Sequence, residues 1–340
     1  MTRRIAVLTT GAVLLVVFGL LGTLLPVPYV AQVPGPTFNT LGDIGTSPII
    51  TLHGRARNKV AGNLNLTTVG VSRAGLSLVD AVRGWFDREV SVVPEESVYP
   101  PDQTVEQTRQ ANRQAFLTSE QAAESAALGH LGYPQKVVVQ GLSAGSPSKG
   151  VLEESDAIDA VAGHPTPDAA TLEKVLSAVP GGTPVAISYT RLGKPGTATV
   201  TTKAAGTRKG SLLGVMVRDA PYAPFDVDID VQDVGGPSAG LMLTLGILDL
   251  VGPTDLTHGK VVAGTGTIDP SGKVGPIGGI QLKMVAARNL GAKLFLVPAD
   301  NCAEAKAAPD PGYVLARVAT LDDALKALSD FEAGRTPAGC

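Results

Sequence analysis

Gly235-Gly236-Pro237-Ser238-Ala239-Gly240 runs straight into Leu241-Met242-Leu243-Thr244-Leu245-Gly246-Ile247-Leu248-Asp249-Leu250, a stretch apolar nearly all round. A segment without a polar face must be buried on every side, which predicts a core helix with a domain built around it. Pro237 is a residue type that opens helices, and the flanking glycines let backbone approach a ligand closely, so Ser238 is expected in the first turn. Unpaired N–H groups and the positive end of the helix dipole collect there, a good setting for a hydroxyl that attacks a carbonyl. Serine beside a helix start is ordinarily only a cap, so a nucleophile needs a base as well.

Downstream, Gly278-Gly279-Ile280-Gln281-Leu282-Lys283-Met284-Val285-Ala286-Ala287-Arg288-Asn289-Leu290-Gly291 reads as a helix entered through paired glycines and closed by Gly291. At about 100° per residue Gln281 and Arg288 share one face, whereas Lys283 falls with Gly279, Ile280, Ala286 and Ala287 on the apolar side. One reading is a snorkelling lysine that covers the core edge. The other is a buried amine whose pKa drops from ~10.4 toward ~7–8, able to take the serine proton. Of the histidines, His53, His130 and His164 fall near the presumptive stalk, at a helix end and in a turn; His258 lies in the right region and is kept as an alternative base.

Upstream, Gly62 to Ser72 alternates with period two and reads as a strand, and Leu78 to Phe86 as a short amphipathic helix. Gln103 to Phe116 reads as a helix, restarted by a capping box at Thr118-Ser119-Glu120-Gln121 and ending at Gly129. From Leu131 to Lys203 short strands surround one helix, Asp168 to Val179. At the N-terminus, Ile5 to Leu25 carries no charge and covers roughly the 30 Å hydrocarbon layer at 1.5 Å per residue. Arg3 and Arg4 precede it and no Lys or Arg follows before Arg55, which predicts a cytoplasmic N-terminus and an exported remainder. Pro34 to Ser47 reads as a stalk. The 28 basic against 31 acidic side chains leave a charge of −3, no basic field for a nucleic acid. The two cysteines, Cys302 and Cys340, make neither a CxxC pair nor a zinc site, and a single bridge between them stays open.

Gly-Pro-Ser-Ala-Gly and, 45 residues on, the lysine of Ile277-Gly278-Gly279-x-x-x-Lys283 resemble the signatures of Lon-type peptidases, as do Gly264-Thr265-Gly266-Thr267-Ile268 and Val297-Pro298-Ala299-Asp300-Asn301. The resemblance spans about 210 to 330 and implies Ser238 as nucleophile and Lys283 as general base. It also implies Thr257 as a threonine that hydrogen-bonds near the lysine. An acid often stands directly before Gly-Pro-Ser; here that place is Gly236, with Asp233 three residues earlier. The 131–203 stretch, through Ser146-Pro147, Gly150-Val151-Leu152 and Asp156-Ala157-Ile158, resembles a bacterial-type PDZ domain, with Ser148 and Ser155 as departures. That resemblance implies a carboxylate loop at Leu131-Gly132-Tyr133 and a peptide groove between Val137–Val139 and the helix bearing Leu172, Val175 and Leu176.

Together these readings give an α+β chain: cytoplasmic end and transmembrane helix over 1–30, stalk over 31–60, an opening part of the proteolytic domain over 61–129, a PDZ-like module over 130–205 and a Lon-type α/β proteolytic domain over 206–335. The module is either inserted in the proteolytic domain or precedes it. The expected function is ATP-independent serine endopeptidase action on unfolded or flexible polypeptide, with substrate C-termini held by the module. An inactive membrane-tethered peptide-binding scaffold, or a holdase, is the alternative. No cofactor and no metal is expected; the partners are polypeptide substrates, a membrane and further copies of the chain, the family form being a hexameric ring.

Overall fold

The computed structural model describes residues 2–72, 75–207, 209–231 and 234–340. Helix α1 (Thr2–Leu24) is exposed along almost its whole length and is long and apolar enough to cross a membrane, a test that a signal sequence also passes. Strand β1 (Tyr29–Asn39) starts five residues later. It pairs antiparallel with β2 (Asn63–Val71) and with β3 (Ser91–Pro94), between which lies helix α2 (Leu78–Phe86). The stretch expected as a stalk is thus largely sheet. Pro34-Gly35-Pro36, which suggested a stalk, instead produces a register shift between Pro34 and Thr37, where proline withholds its N–H from the ladder.

Helix α3 (Val105–His130) is continuous. The capping box lies at its true start, Thr104 with Gln107, and not at Thr118, whose hydroxyl donates to the Gln114 carbonyl inside the helix. An antiparallel module follows: β4 (Gln135–Leu142), β5 (Ala157–Val161), α4 (Ala169–Ser177), β6 (Pro184–Arg191), β7 (Lys194–Thr201) and β8 (Val215–Pro221), in sheet order β7-β6-β5-β4-β8. It has its own core, centred on Val137, Val139, Ile158, Leu172, Leu176 and Ile187.

The chain then returns to the first sheet through α5 (Gly240–Val251), β9 (Val261–Gly264), α6 (Ile280–Leu290), β10 (Leu294–Pro298), α7 (Cys302–Ala307), β11 (Val314–Val318) and α8 (Leu321–Glu332). The sheet order is β11-β10-β9-β2-β1-β3, with β11, β10, β9 and β2 parallel. Strands from before and after the module therefore share one sheet, so the module is inserted. In β9 and β10, Val262, Leu294 and Leu296 join the core around α5 and α3, while Ala263, Phe295 and Val297 join the core around α6 on the opposite face. A parallel strand buried on both faces has no polar alternation to display. Every residue of α5 is buried, as its composition required. A disulfide joins Cys302 to Cys340.

Candidate active site

Ser238 sits in a turn just ahead of α5, whose first residue is Gly240, and not inside the helix itself. Pro237 and the positive φ of Gly236 (85°) turn the chain there, and two bonds from α3 hold the turn. The Gly236 N–H donates to the Asn112 carbonyl (2.8 Å), and the Ser119 hydroxyl donates to the Pro237 carbonyl (3.0 Å). From the other side the Ser238 carbonyl accepts from the Gly266 N–H and from the Thr265 hydroxyl, both at 3.0 Å.

Helix α6 supplies the lysine. Gly279 caps it in the left-handed region (φ 68°), a conformation that costs an L side chain 1–2 kcal/mol or so and glycine little. Ile280, Met284 and Ala287 anchor the helix in the core, and Lys283, one residue round, is carried inward with them to 3% exposure. Its Nζ lies 2.8 Å from Ser238 Oγ and 2.9 Å from Thr265 Oγ1. With two hydroxyls as its side-chain partners and, among the described residues, no opposite charge offsetting the lost hydration, burial pulls the ammonium pKa down to about 8.

Thr265 fixes the direction of these bonds. A hydroxyl has one proton and two lone pairs. Its proton goes to the Ser238 carbonyl, so toward Nζ it can only accept. A neutral amine then spends an N–H on Thr265 and turns its lone pair to the Ser238 O–H. In the sequence Thr265 stands only as part of a glycine-threonine run; its flanking glycines, which let the turn pass close to α5, are the available signal.

Thr257 does not take that place. Its hydroxyl bonds the Ala61 carbonyl and lies 3.3 Å from Asp255, holding the loop that leads into β9. His258, on the same loop, directs Nε2 at Glu332 (3.2 Å) and not at the serine. Asp233 lies outside the described residues. Beside Ser238 and Lys283 a groove of about 940 Å³ opens between the Gly235–Ala239 turn, the Pro276–Gly279 turn and the second half of β2. β9 pairs β2 only as far as Leu66, so from Thr67 to Val71 one strand edge runs along the groove.

The module departs from expectation at the groove that the resemblance implied. Val137 and Val139 are on β4, which is internal, paired to β5 on one side and to β8 along the other, so no peptide can add there. Leu131, Gly132 and Tyr133 form the end of α3, where Tyr133 N–H donates to the Leu128 carbonyl. Leu131 and Tyr133 pack on the sheet-domain core. The edge that ends the sheet is β8, and α4, bearing Leu172, Val175 and Leu176, lies beside it with Ala169 N–H on Asp219 (2.8 Å). The turn entering β8 is Leu213-Gly214, with Gly214 at φ 69°. The carbonyls of both are drawn inward by the hydroxyls of Ser148, Ser146 and Ser143. Sequence order misled here, because the strand nearest a loop in the chain is not the one at the sheet's edge.

Residues 219–328, which include Ser238, Thr265 and Lys283, match the family model of the Lon protease (S16) C-terminal proteolytic domain. A Lon protease of Azospirillum brasilense is 39% identical over 94 residues, 27% of this chain and 11% of that protein. Lon protease 2 of Bacillus subtilis is 36% identical over 100 residues, 27% of this chain and 18% of that one. The chain thus spans under a fifth of the length of these curated relatives. These matches support a serine peptidase. The PDZ domain of an SdrC-like protein from Listeria monocytogenes is similar to the structure at 20% identity and a TM-score of 0.23, over 24% of this chain and 86% of that one.

Proposed function

We propose that the chain is a membrane-anchored serine endopeptidase that works without ATP, cutting unfolded or flexible polypeptide through a Ser238–Lys283 dyad. The observation that carries this reading is the 2.8 Å contact between a buried amine and a hydroxyl at the mouth of a groove. Neutral Lys283 accepts the Ser238 proton as Oγ attacks the scissile carbonyl, and the resulting ammonium gives that proton to the leaving amine. Water then adds to the acyl-enzyme with the amine again as base. The Gly236 amide is committed to Asn112, which leaves the Ser238 amide as the nearest candidate to face the developing oxyanion. An extended substrate adds its backbone to the open edge of β2, beyond the end of β9.

The module's part in this proposal moves to the β8 edge. A peptide laid between β8 and α4 would run to the Leu213-Gly214 turn, whose carbonyls face inward and whose amides can receive a terminal carboxylate. Helix α1 is the anchor in this reading, with its arginines on the cytoplasmic side.

The full chain in lipid vesicles, given an unfolded protein, should release fragments, with kcat/KM rising through an apparent pKa near 8. At pH 7 roughly a tenth of the lysines are neutral on that value. Ser238→Ala and Lys283→Ala should each abolish fragments while binding of a C-terminal peptide persists. Undiminished cleavage by Lys283→Ala would overturn the dyad.

A further inference from the structure

Helix α2 turns the wrong side outward. At about 100° per residue Leu78, Val82, Trp85 and Phe86 fall within an arc of roughly 100°, the width of a buried stripe. They are nonetheless 46%, 39%, 57% and 86% exposed. The side facing the protein carries Ala81 and Gly84. A Cβ on Gly84 would come within 2.5 Å of Val92 Cγ2, so the helix lies close on β3 through its smallest residues. Among the described residues none covers these large apolar side chains.

Their place in the fold says what does. The strand pair that leads out of α1 and into α2, Pro26–Val27 with Leu76–Ser77, fastens the exit of the membrane-length helix to the N-cap of α2. Gly22, in the last turns of α1, backs onto Val79, where a Cβ would sit 3.3 Å from Cγ2. Tyr29, the first residue of β1, meets the Trp85 ring edge-on at 6.0 Å. Trp85, Phe86 and Tyr29 are thereby gathered at the level where α1 leaves its apolar span, and aromatic rings favour that level of a bilayer.

We infer that α2 is a second membrane contact, a short helix lying in the bilayer interface with Leu78, Val82, Trp85 and Phe86 in the acyl boundary, and that its partner is the lipid surface. The inference rests on the reading of α1 as an anchor. Nine residues span only about 13 Å, too short to cross a bilayer and suited to lie along it. Asp80 and Arg83, both turned away from the apolar arc, balance each other, so insertion depends on apolar area and not on anionic headgroups. Seated in this way, α2 holds Tyr29 at the surface. Gln32, which lines the catalytic groove, then follows three residues up β1, about 10 Å away at 3.3 Å per residue. The groove's near end would meet chain just emerging from a membrane.

Trp85 is the sole tryptophan, so its fluorescence reads this helix alone. The full chain is reconstituted in phosphatidylcholine vesicles, with flotation and resistance to carbonate extraction reporting anchoring. Phosphatidylcholine brominated near the top of the acyl chain should quench Trp85 at least twofold, and iodide should quench it several-fold less than a free indole. Adding phosphatidylglycerol should leave both values unchanged. The triple substitution Leu78→Ser, Val82→Ser and Phe86→Ser should halve the bromolipid quenching while flotation persists. A floating chain whose Trp85 answers to iodide and not to bromolipid overturns the inference. So does protection from both quenchers, which would mean that another copy of the chain covers the helix. A chain that does not float refutes the anchor instead.

Discussion

Helices α6 and α2 break the same burial rule in opposite directions. α6 takes a lysine into the interior, 3% exposed, while α2 leaves a tryptophan and a phenylalanine outside. Glycine makes both possible: Gly279 turns the chain sharply enough to aim α6 at the serine, and Gly84 lets α2 lie flat enough that its large side chains have nowhere to go but out. In α6 the violation costs folding energy, because an ammonium loses its water. In α2 the cost falls on solubility unless lipid covers the face. In the readings proposed above the buried lysine supplies chemistry and the exposed rings a partner, and each half of that contrast can be attacked separately.

Replacing Lys283 should have the largest effect, and its two consequences point in opposite directions. Lys283→Met should cut kcat/KM at least 10³-fold and yet raise stability. With a folded pKa of about 8 against 10.5 unfolded, both states hold the proton at pH 7, and keeping it on the buried amine costs the fold about 3 kcal/mol. For a lysine depressed in this way the full penalty is present below pH 8, and stability is regained as pH climbs from about 8 to about 10.5. Denaturant titrations of the wild type should show that rise, and those of Lys283→Met should lack it. A variant less stable than wild type at pH 7 would mean that the amine contributes to the fold and is not held in it under strain.

Thr265→Val comes next. It removes one of the two donors to the Ser238 carbonyl, which keeps the Gly266 N–H, and strands one N–H of the buried amine, where an unmade bond costs about 1–3 kcal/mol, a factor of roughly 5 to 150 in kcat/KM. Thr265→Ser keeps the hydroxyl and should recover most of the rate, measured at several pH values so that a shifted profile is seen. Asp249 offers a buried charge without chemistry. It accepts the Leu256 N–H through Oδ1 (2.8 Å), and among the described residues its Oδ2 has no partner. Burial raises its pKa to about 6, so the stability it permits below pH 4 is lost as pH rises through 6. Asp249→Asn should therefore stabilise the protein by about 1–2 kcal/mol at pH 7, with activity unchanged. Lost activity would show that the last turn of α5 reports to the serine ahead of its first.

The most legible parts of the sequence were those where local pattern and tertiary demand coincide. The unbroken apolar run of α5 could only be a core helix, and the glycines bounding α6 fixed its ends to the residue. The lysine's inward turn followed from its angle to Gln281. What stayed hidden depended on pairing between distant segments. Pro34-Gly35-Pro36 reads as irregular chain until β2 supplies a partner on one side and β3 continues the sheet on the other. Thr118-Ser119-Glu120-Gln121 has the letters of a capping box, but Ser119 spends its hydroxyl on the Pro237 carbonyl, a residue 118 positions away. Thr257, which the resemblance implies near the lysine, and Thr265, which bonds it, stand on either side of β9, and only the path of that strand decides which one reaches Lys283. Val137 and Val139 end up on an internal strand because β8, last in the module's sequence, closes on β4 and takes the edge of the sheet.

His258→Ala should change least, and its silence would sharpen the contrast most. The ring's Nε2 faces Glu332 at 3.2 Å, with both side chains about two-fifths exposed. A solvent-screened pair of this kind contributes about 0–1 kcal/mol to stability. The residue sits at φ 47°, where an L side chain is strained, so His258→Gly should relieve backbone strain while removing the same contact with Glu332. The two variants together separate a structural role from a chemical one. If the lysine is the base, both should keep wild-type kcat/KM and the same apparent pKa near 8, differing only in melting temperature, with glycine above alanine. Loss of the pH profile in both, with the fold intact, would return the proton to imidazole and make Lys283 an ordinary buried mistake of packing, at which point α6 and α2 would no longer be opposites.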